Sequence, residues 1–175
     1  MIDPTSNRQR RPLNRMLFML AKNYADSAKI LEDRVQEIKN PDPAPVIIMC
    51  LSFAIELLLK CLLIVDKDEI RTVRDMEKAG INRRGHDYLH LFDRIERPYQ
   101  EIILKHFAKH DSSVQSIESL KLLLGKIGSD PFTLWRYVHE QDEIPTFNLR
   151  AYKRFGGSLR DAITEIWSRR AQDDR

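Results

Sequence analysis

The sequence predicts an all-α protein, an antiparallel up-and-down bundle of helices. Three observations carry that expectation. Apolar residues recur at three- and four-residue spacing along most of the chain, the period of a helix with one buried face. The 175 residues include only six glycines, and runs of strictly alternating apolar residues are scarce, which argues against sheet. The stretch from Val46 to Asp66, VIIMCLSFAIELLLKCLLIVD, is apolar almost throughout and reads as a helix buried among the others.

Composition sets the class. Hydrophobic residues make up 42% and charged residues 31%, which suits a soluble globular domain with a real core and not a disordered chain. The expected division is a flexible basic tail over residues 1–12 and a single helical domain over 13–172. The net charge of +3 is compatible with nucleic acid without requiring it. The cluster Arg8, Arg10 and Arg11 in the tail reads first as a solvated end, with a nucleic-acid arm as the other reading.

The elements follow in order. From Asn14 to about Ile38, Leu17, Leu20, Ala21, Tyr24, Ala28, Leu31, Val35 and Ile38 mark the inward face of a long helix. KNPDPAP, with Pro41, Pro43 and Pro45, breaks it. The apolar helix comes next. Its length would suffice for a membrane span. However, Glu56 and Lys60 near its middle would each cost roughly 2.5–3.5 kcal/mol there, and the amphipathic helices around it need something to cover. A core helix and no membrane is the expectation. Cys50 and Cys61 fall inside it, roughly 16 Å apart along the axis, too far to bridge. Buried free thiols and an N-terminus without an apolar signal core point to the cytoplasm.

Residues 66–84 are charge-rich and read as loop with a short helix. GHDYLHLFDRIERP opens a new helix near Gly85, with Tyr88, Leu91, Phe92 and Ile95 inward and Pro98 at its end or at the start of the next segment. Tyr99 to His110 forms a helix with Ile102, Ile103 and Phe107 inward. Ser113 is placed to cap a helix carrying Ile117, Leu120, Leu124 and Ile127, and Gly128 to stop it. Residues 129–148 read as a long aromatic loop. A last helix covers about Leu149 to Arg170, with Gly156 and Gly157 as a weak point or kink.

Chemistry is concentrated in a few polar residues. Ser52, Glu56 and Lys60 recur every four residues and form one narrow polar stripe on the apolar helix. A buried charge needs a partner, and Glu56 and Lys60 are spaced and oriented to be partners. No GxxxxGK[ST], GxGxxG or HExxH pattern is present, and the five histidines have no metal-ligand spacing, so no metal and no cofactor are expected.

AIELLLK at 54–60, GHDYLHLF at 85–92 and WRY at 135–137, in this order after a long helix containing YADSAKIL, resemble the HEPN superfamily over roughly Leu17 to Trp167. The resemblance implies a helical bundle that pairs into a homodimer. Many HEPN proteins are metal-independent endoribonucleases of toxin–antitoxin, phage-defence or RNA-processing systems. Others are non-catalytic interaction or nucleotide-binding modules. It thus suggests RNA as substrate, and an antitoxin or a nucleotidyltransferase as partner. The family's catalytic motif is an Arg followed, after four to six residues, by a His, and the two motifs meet across the dimer. Here Arg84 precedes His90 with five residues between, and Arg83 with six. The carry-over makes His90 the acid–base residue and Arg83 or Arg84 the phosphate ligand. On the helical wheel His90 faces away from Tyr88, Leu91, Phe92 and Ile95, toward solvent or a dimer seam. The second constellation is Glu56, Lys60, His86, Asp87, Arg136 and Tyr137, read either as a buried network tying the apolar helix to the GHD turn and the WRY segment or as a nucleotide pocket.

Overall fold

The computed structural model describes residues 12–38, 44–81, 86–127, 137, 140 and 147–173. Among them are seven helices and no strand: α1 (Leu13–Ile38), α2 (Ala44–Leu63), α3 (Val73–Lys78), α4 (Tyr88–Asp93), α5 (Arg97–Ala108), α6 (Ile117–Ile127) and α7 (Leu149–Asp173). The all-α expectation holds.

The apolar helix α2 is the axis of the bundle. Fourteen of its twenty residues are buried, so its apolar surface is covered by protein on most sides. It is long and apolar enough to cross a membrane, yet 78% of that window lies inside the molecule, the burial of a core helix. Each buried Leu or Ile there contributes about 1.5–3 kcal/mol relative to exposure. α1 lies antiparallel along α2: Asn14 reaches Ile64, and the Tyr24 ring packs edge-on against Phe53 with centroids 4.7 Å apart. α7 covers another side of α2 and runs antiparallel to α1, with Phe18 on Trp167 at one end and Lys153 paired to Glu32 at the other. α5 packs against α7, and α4 fills the space between α2 and α6.

The end of α2 shows how polar backbone is satisfied in such a core. Helix C-termini leave carbonyls without intrahelical partners. Here Asn14, only 1% exposed, shares its amide among Ile64 O (3.3 Å), Val65 O (3.2 Å) and Asp68. Arg170 donates to Val65 O at 3.0 Å. Cys61 donates its thiol to Asn14 O at 3.2 Å. The first and last helices therefore clasp the end of the central one.

Several boundaries and faces differ from the sequence reading. Leu20 and Tyr24, expected inward on α1, are 44% and 36% exposed, while Leu13 and Asn14 are buried. The apolar stripe of α1 is wider than the surface α2 offers, and its edge is left open. The GHD helix begins at Tyr88, not Gly85, because Asp87 is its N-cap and accepts from His90 N–H at 2.9 Å. Pro98 lies in the first turn of α5, where its missing N–H costs nothing. Ser113 is tied into a turn by Asp111, whereas Ser116 accepts from Ser119 N–H and caps α6. α7 continues as helix through Gly156 and Gly157 to Asp173. Gly128 and most of the aromatic segment 129–148 lie outside the described residues.

Candidate functional site

The polar stripe of α2 is the best-formed constellation. Ser52 and Glu56 are 0% and 1% exposed, and the Lys60 side chain is 13% exposed, so the stripe climbs from the core toward the surface. One Glu56 oxygen accepts from Lys60 Nζ at 2.7 Å, the spacing of one helical turn. The other meets His86 Nδ1 at 2.9 Å, thirty residues away in sequence. A carboxylate only accepts, so Nδ1 carries the proton and Nε2 is the basic nitrogen of the neutral ring. The imidazole is 52% exposed, although the carboxylate that orients it is almost fully buried.

Local structure fixes the His86 turn. Asp87 caps α4, and Tyr88, fully buried, donates its hydroxyl to Ser52 O at 2.6 Å. The turn is thereby pinned to the same face of α2 that carries Glu56. Ser52 Oγ is the one buried side-chain polar atom among the described residues without a hydrogen bond. The Tyr152 phenol is pushed up by burial, an effect Ser52 partly offsets, but the geometry gives its hydroxyl to Ile127 O at 3.0 Å.

The sequence-selected residues divide as follows. Glu56, Lys60 and His86 are brought together, and Asp87 supports them as a cap. His90 lies on α4, one turn beyond His86, and is partly buried. Tyr137 is 39% exposed. Arg83, Arg84 and Arg136 lie outside the described residues.

Two other polar groupings went unnoticed in the sequence. Asn14 is one; its only signal was an amide within the apolar period of α1. The second is Glu165 on α7, which gathers Lys105 (3.0 Å), His106 (2.7 Å) and Arg169. The Lys105 hydrogen bond, ahead of those from His106 and Arg169, holds the Glu165 carboxyl at about 2, against an opposing effect of burial. This cluster links α5 to α7.

The thiols are not poised for attack. Burial raises Cys61 to about 12 and raises Cys50 as well, and thiolate is the reactive form. Among the described residues no group of three or more His, Cys, Asp or Glu side chains is placed to hold a metal ion.

Comparison with protein-family models, with curated proteins and with solved structures finds no match to this chain.

Proposed function

We propose that the chain is a HEPN-like, RNA-directed domain, a metal-independent endoribonuclease whose acid–base chemistry centres on the His86 turn. The observation that carries this reading is the Glu56–His86 pair. A nearly buried carboxylate fixes the tautomer and direction of a half-exposed imidazole, with a Lys ammonium on its second oxygen. An imidazole so held can take the 2′-hydroxyl proton or protonate the leaving oxygen near neutral pH. His90, the acid–base residue that the resemblance implies, lies on the adjoining helical turn. The resemblance assigns the phosphate contact to Arg83 or Arg84, which lie outside the described residues. Cleavage of this kind uses the RNA's own 2′-hydroxyl as nucleophile.

The same reading makes the protein a cytoplasmic homodimer acting in a toxin–antitoxin or phage-defence setting, with an antitoxin or nucleotidyltransferase as partner. What supports pairing is an open apolar face. Met16, Met19, Leu20 and Tyr24 of α1 are 36–44% exposed. Tyr24 stacks edge-on to Phe53, and Val46, Phe53 and Lys60 share one side of α2 at seven-residue spacing. The polar site therefore borders the face available for a second copy.

A second reading has its own observation. Both Glu56 oxygens are satisfied within the protein, as in a purely structural tie, and that favours a non-catalytic interaction or nucleotide-binding module. Incubation with single-stranded RNA in the presence of a chelator separates the two. The nuclease gives products ending in 2′,3′-cyclic phosphate and spares DNA, which lacks the hydroxyl. Intact RNA across a range of sequences favours the module.

A further inference from the structure

The charges on the polar stripe of α2 have to balance, because the Glu56 carboxylate, 1% exposed, is almost fully withdrawn from water. Two nitrogens meet it, one on each oxygen: Lys60 Nζ at 2.7 Å and His86 Nδ1 at 2.9 Å. In water a lysine ammonium keeps its proton to about pH 10, and an imidazolium only to about pH 6.5. The lysine is therefore the standing counter-charge, and with a neutral imidazole the group sums to zero. A protonated imidazole would bring it to a net positive charge. It would gain no further hydrogen bond from Glu56 in return, since the neutral ring already donates Nδ1–H to the second oxygen.

Without the ammonium the balance changes. A buried carboxylate with no counter-charge is costly, and the cost is relieved by a proton on Glu56 or on His86. An ordinary imidazole holds its proton about two pH units more tightly than an ordinary carboxyl. The His86 side chain is also 52% exposed, so water shares in solvating its charge. The proton goes to His86. Glu56 and Lys60 are the only charged residues of α2. On the side of the turn, Asp87 spends an oxygen on His90 N–H, and His90 is partly buried on α4. Arg83 and Arg84 precede the turn, outside the described residues.

We propose that Lys60 is a positioning residue for His86: by cancelling the charge of Glu56 it keeps the imidazole neutral near pH 7, with Nδ1 as donor and Nε2 as acceptor. Glu56 alone would orient the ring and also charge it. Glu56 with Lys60 orients the ring and leaves it basic. An imidazole that is to take a proton needs both, since a ring already protonated accepts nothing. The inference deepens the acid–base reading of this site and rests on that reading for its purpose. The charge state itself is measurable without RNA.

The test is isotope-edited NMR of the histidine ring nitrogens in the full chain, with the His86 signal assigned by its loss in His86→Ala. Wild type at pH 7 should show the neutral ring protonated on Nδ1. Lys60→Met should raise the ratio of charged to neutral ring about tenfold or more, the effect of an uncompensated charge within hydrogen-bonding range. Lys60→Arg should leave the wild-type ratio. Glu56→Gln keeps the shape and leaves the ammonium unopposed, so it should lower the ratio about tenfold at pH 6. It reads the same balance in the opposite direction if Lys60→Met does not fold. A charged ring in wild type at pH 7, a folded Lys60→Met with an unchanged ratio, or an unchanged ratio in Glu56→Gln overturns the proposal. The expected ratios with RNA left intact by wild type uphold the charge balance and remove the nuclease reading alone.

Discussion

Replacing Glu56 with Ala removes a carboxylate that is 1% exposed and engaged on both oxygens. The loss falls unequally on its two partners. His86 is 52% exposed, and water can take over its N–H at little cost. Lys60 is only 13% exposed, so its ammonium is left largely desolvated without the carboxylate. Breaking a buried pair costs about 3–5 kcal/mol. Lys60 lies near the end of α2 and can turn its head partly toward solvent, so the lower end applies, about 3 kcal/mol. For a chain of this length that is a fall of roughly 6–12 °C in Tm. Urea denaturation followed by circular dichroism measures it directly. Glu56→Ala combined with Lys60→Met should recover most of the loss, because the stranded charge goes with its partner. A Glu56→Ala variant within about 0.5 kcal/mol of wild type would refute the reasoning, since surface substitutions behave that way and buried ion pairs do not.

Three further outcomes are expected. The Glu165 carboxyl is held at about 2, below its ordinary 4.5, so the folded state stabilises its charged form. The stability difference between wild type and Glu165→Gln should therefore be full above about pH 4.5, shrink as pH falls, and vanish near pH 2; a difference that is flat with pH contradicts the cluster. Neither thiol should react with Ellman's reagent in the native protein at pH 8, and both should react in urea, given burial of Cys50 and Cys61; rapid native labelling would place a thiol at the surface. Light scattering at micromolar concentration should give twice the chain mass, from an interface of about 1,200–2,000 Å². Leu20→Lys should return the mass of a monomer, and a monomeric wild type would remove the open apolar face as a pairing surface.

Much of the fold was legible because period and burial agree. The apolar run from Val46 could only be central, and Tyr88, Leu91, Phe92 and Ile95 all proved to be buried at 3% exposure or less. What sequence could not supply was the width of the surface each helix meets. The stripe on α1 holds more apolar residues than α2 covers, so Leu20 and Tyr24 read as core while standing at its edge. Caps were ambiguous for a similar reason. Asp87, Ser113 and Ser116 are all suitable cap residues, and three-dimensional approach chose among them. The stripe Ser52–Glu56–Lys60 was readable as a buried pair from spacing alone. The grouping of His86 with Glu56 and Lys60 was readable too, but that His86 Nδ1 takes the second Glu56 oxygen depends on a turn geometry that no spacing rule encodes. His106 is 12% exposed and bound to Glu165, so exposed His110 is the better control for activity.

The central claim is that an imidazole oriented by Glu56 performs acid–base chemistry on RNA. The most direct measurement is the single-turnover cleavage rate of single-stranded RNA, in chelator, for wild type, His86→Ala and His110→Ala at matched folded fraction. The account predicts a loss of about 10²–10⁴-fold for His86→Ala, the usual contribution of a positioned acid or base, and a rate near wild type for His110→Ala. Equal rates for wild type and His86→Ala, with both chains folded, would contradict it.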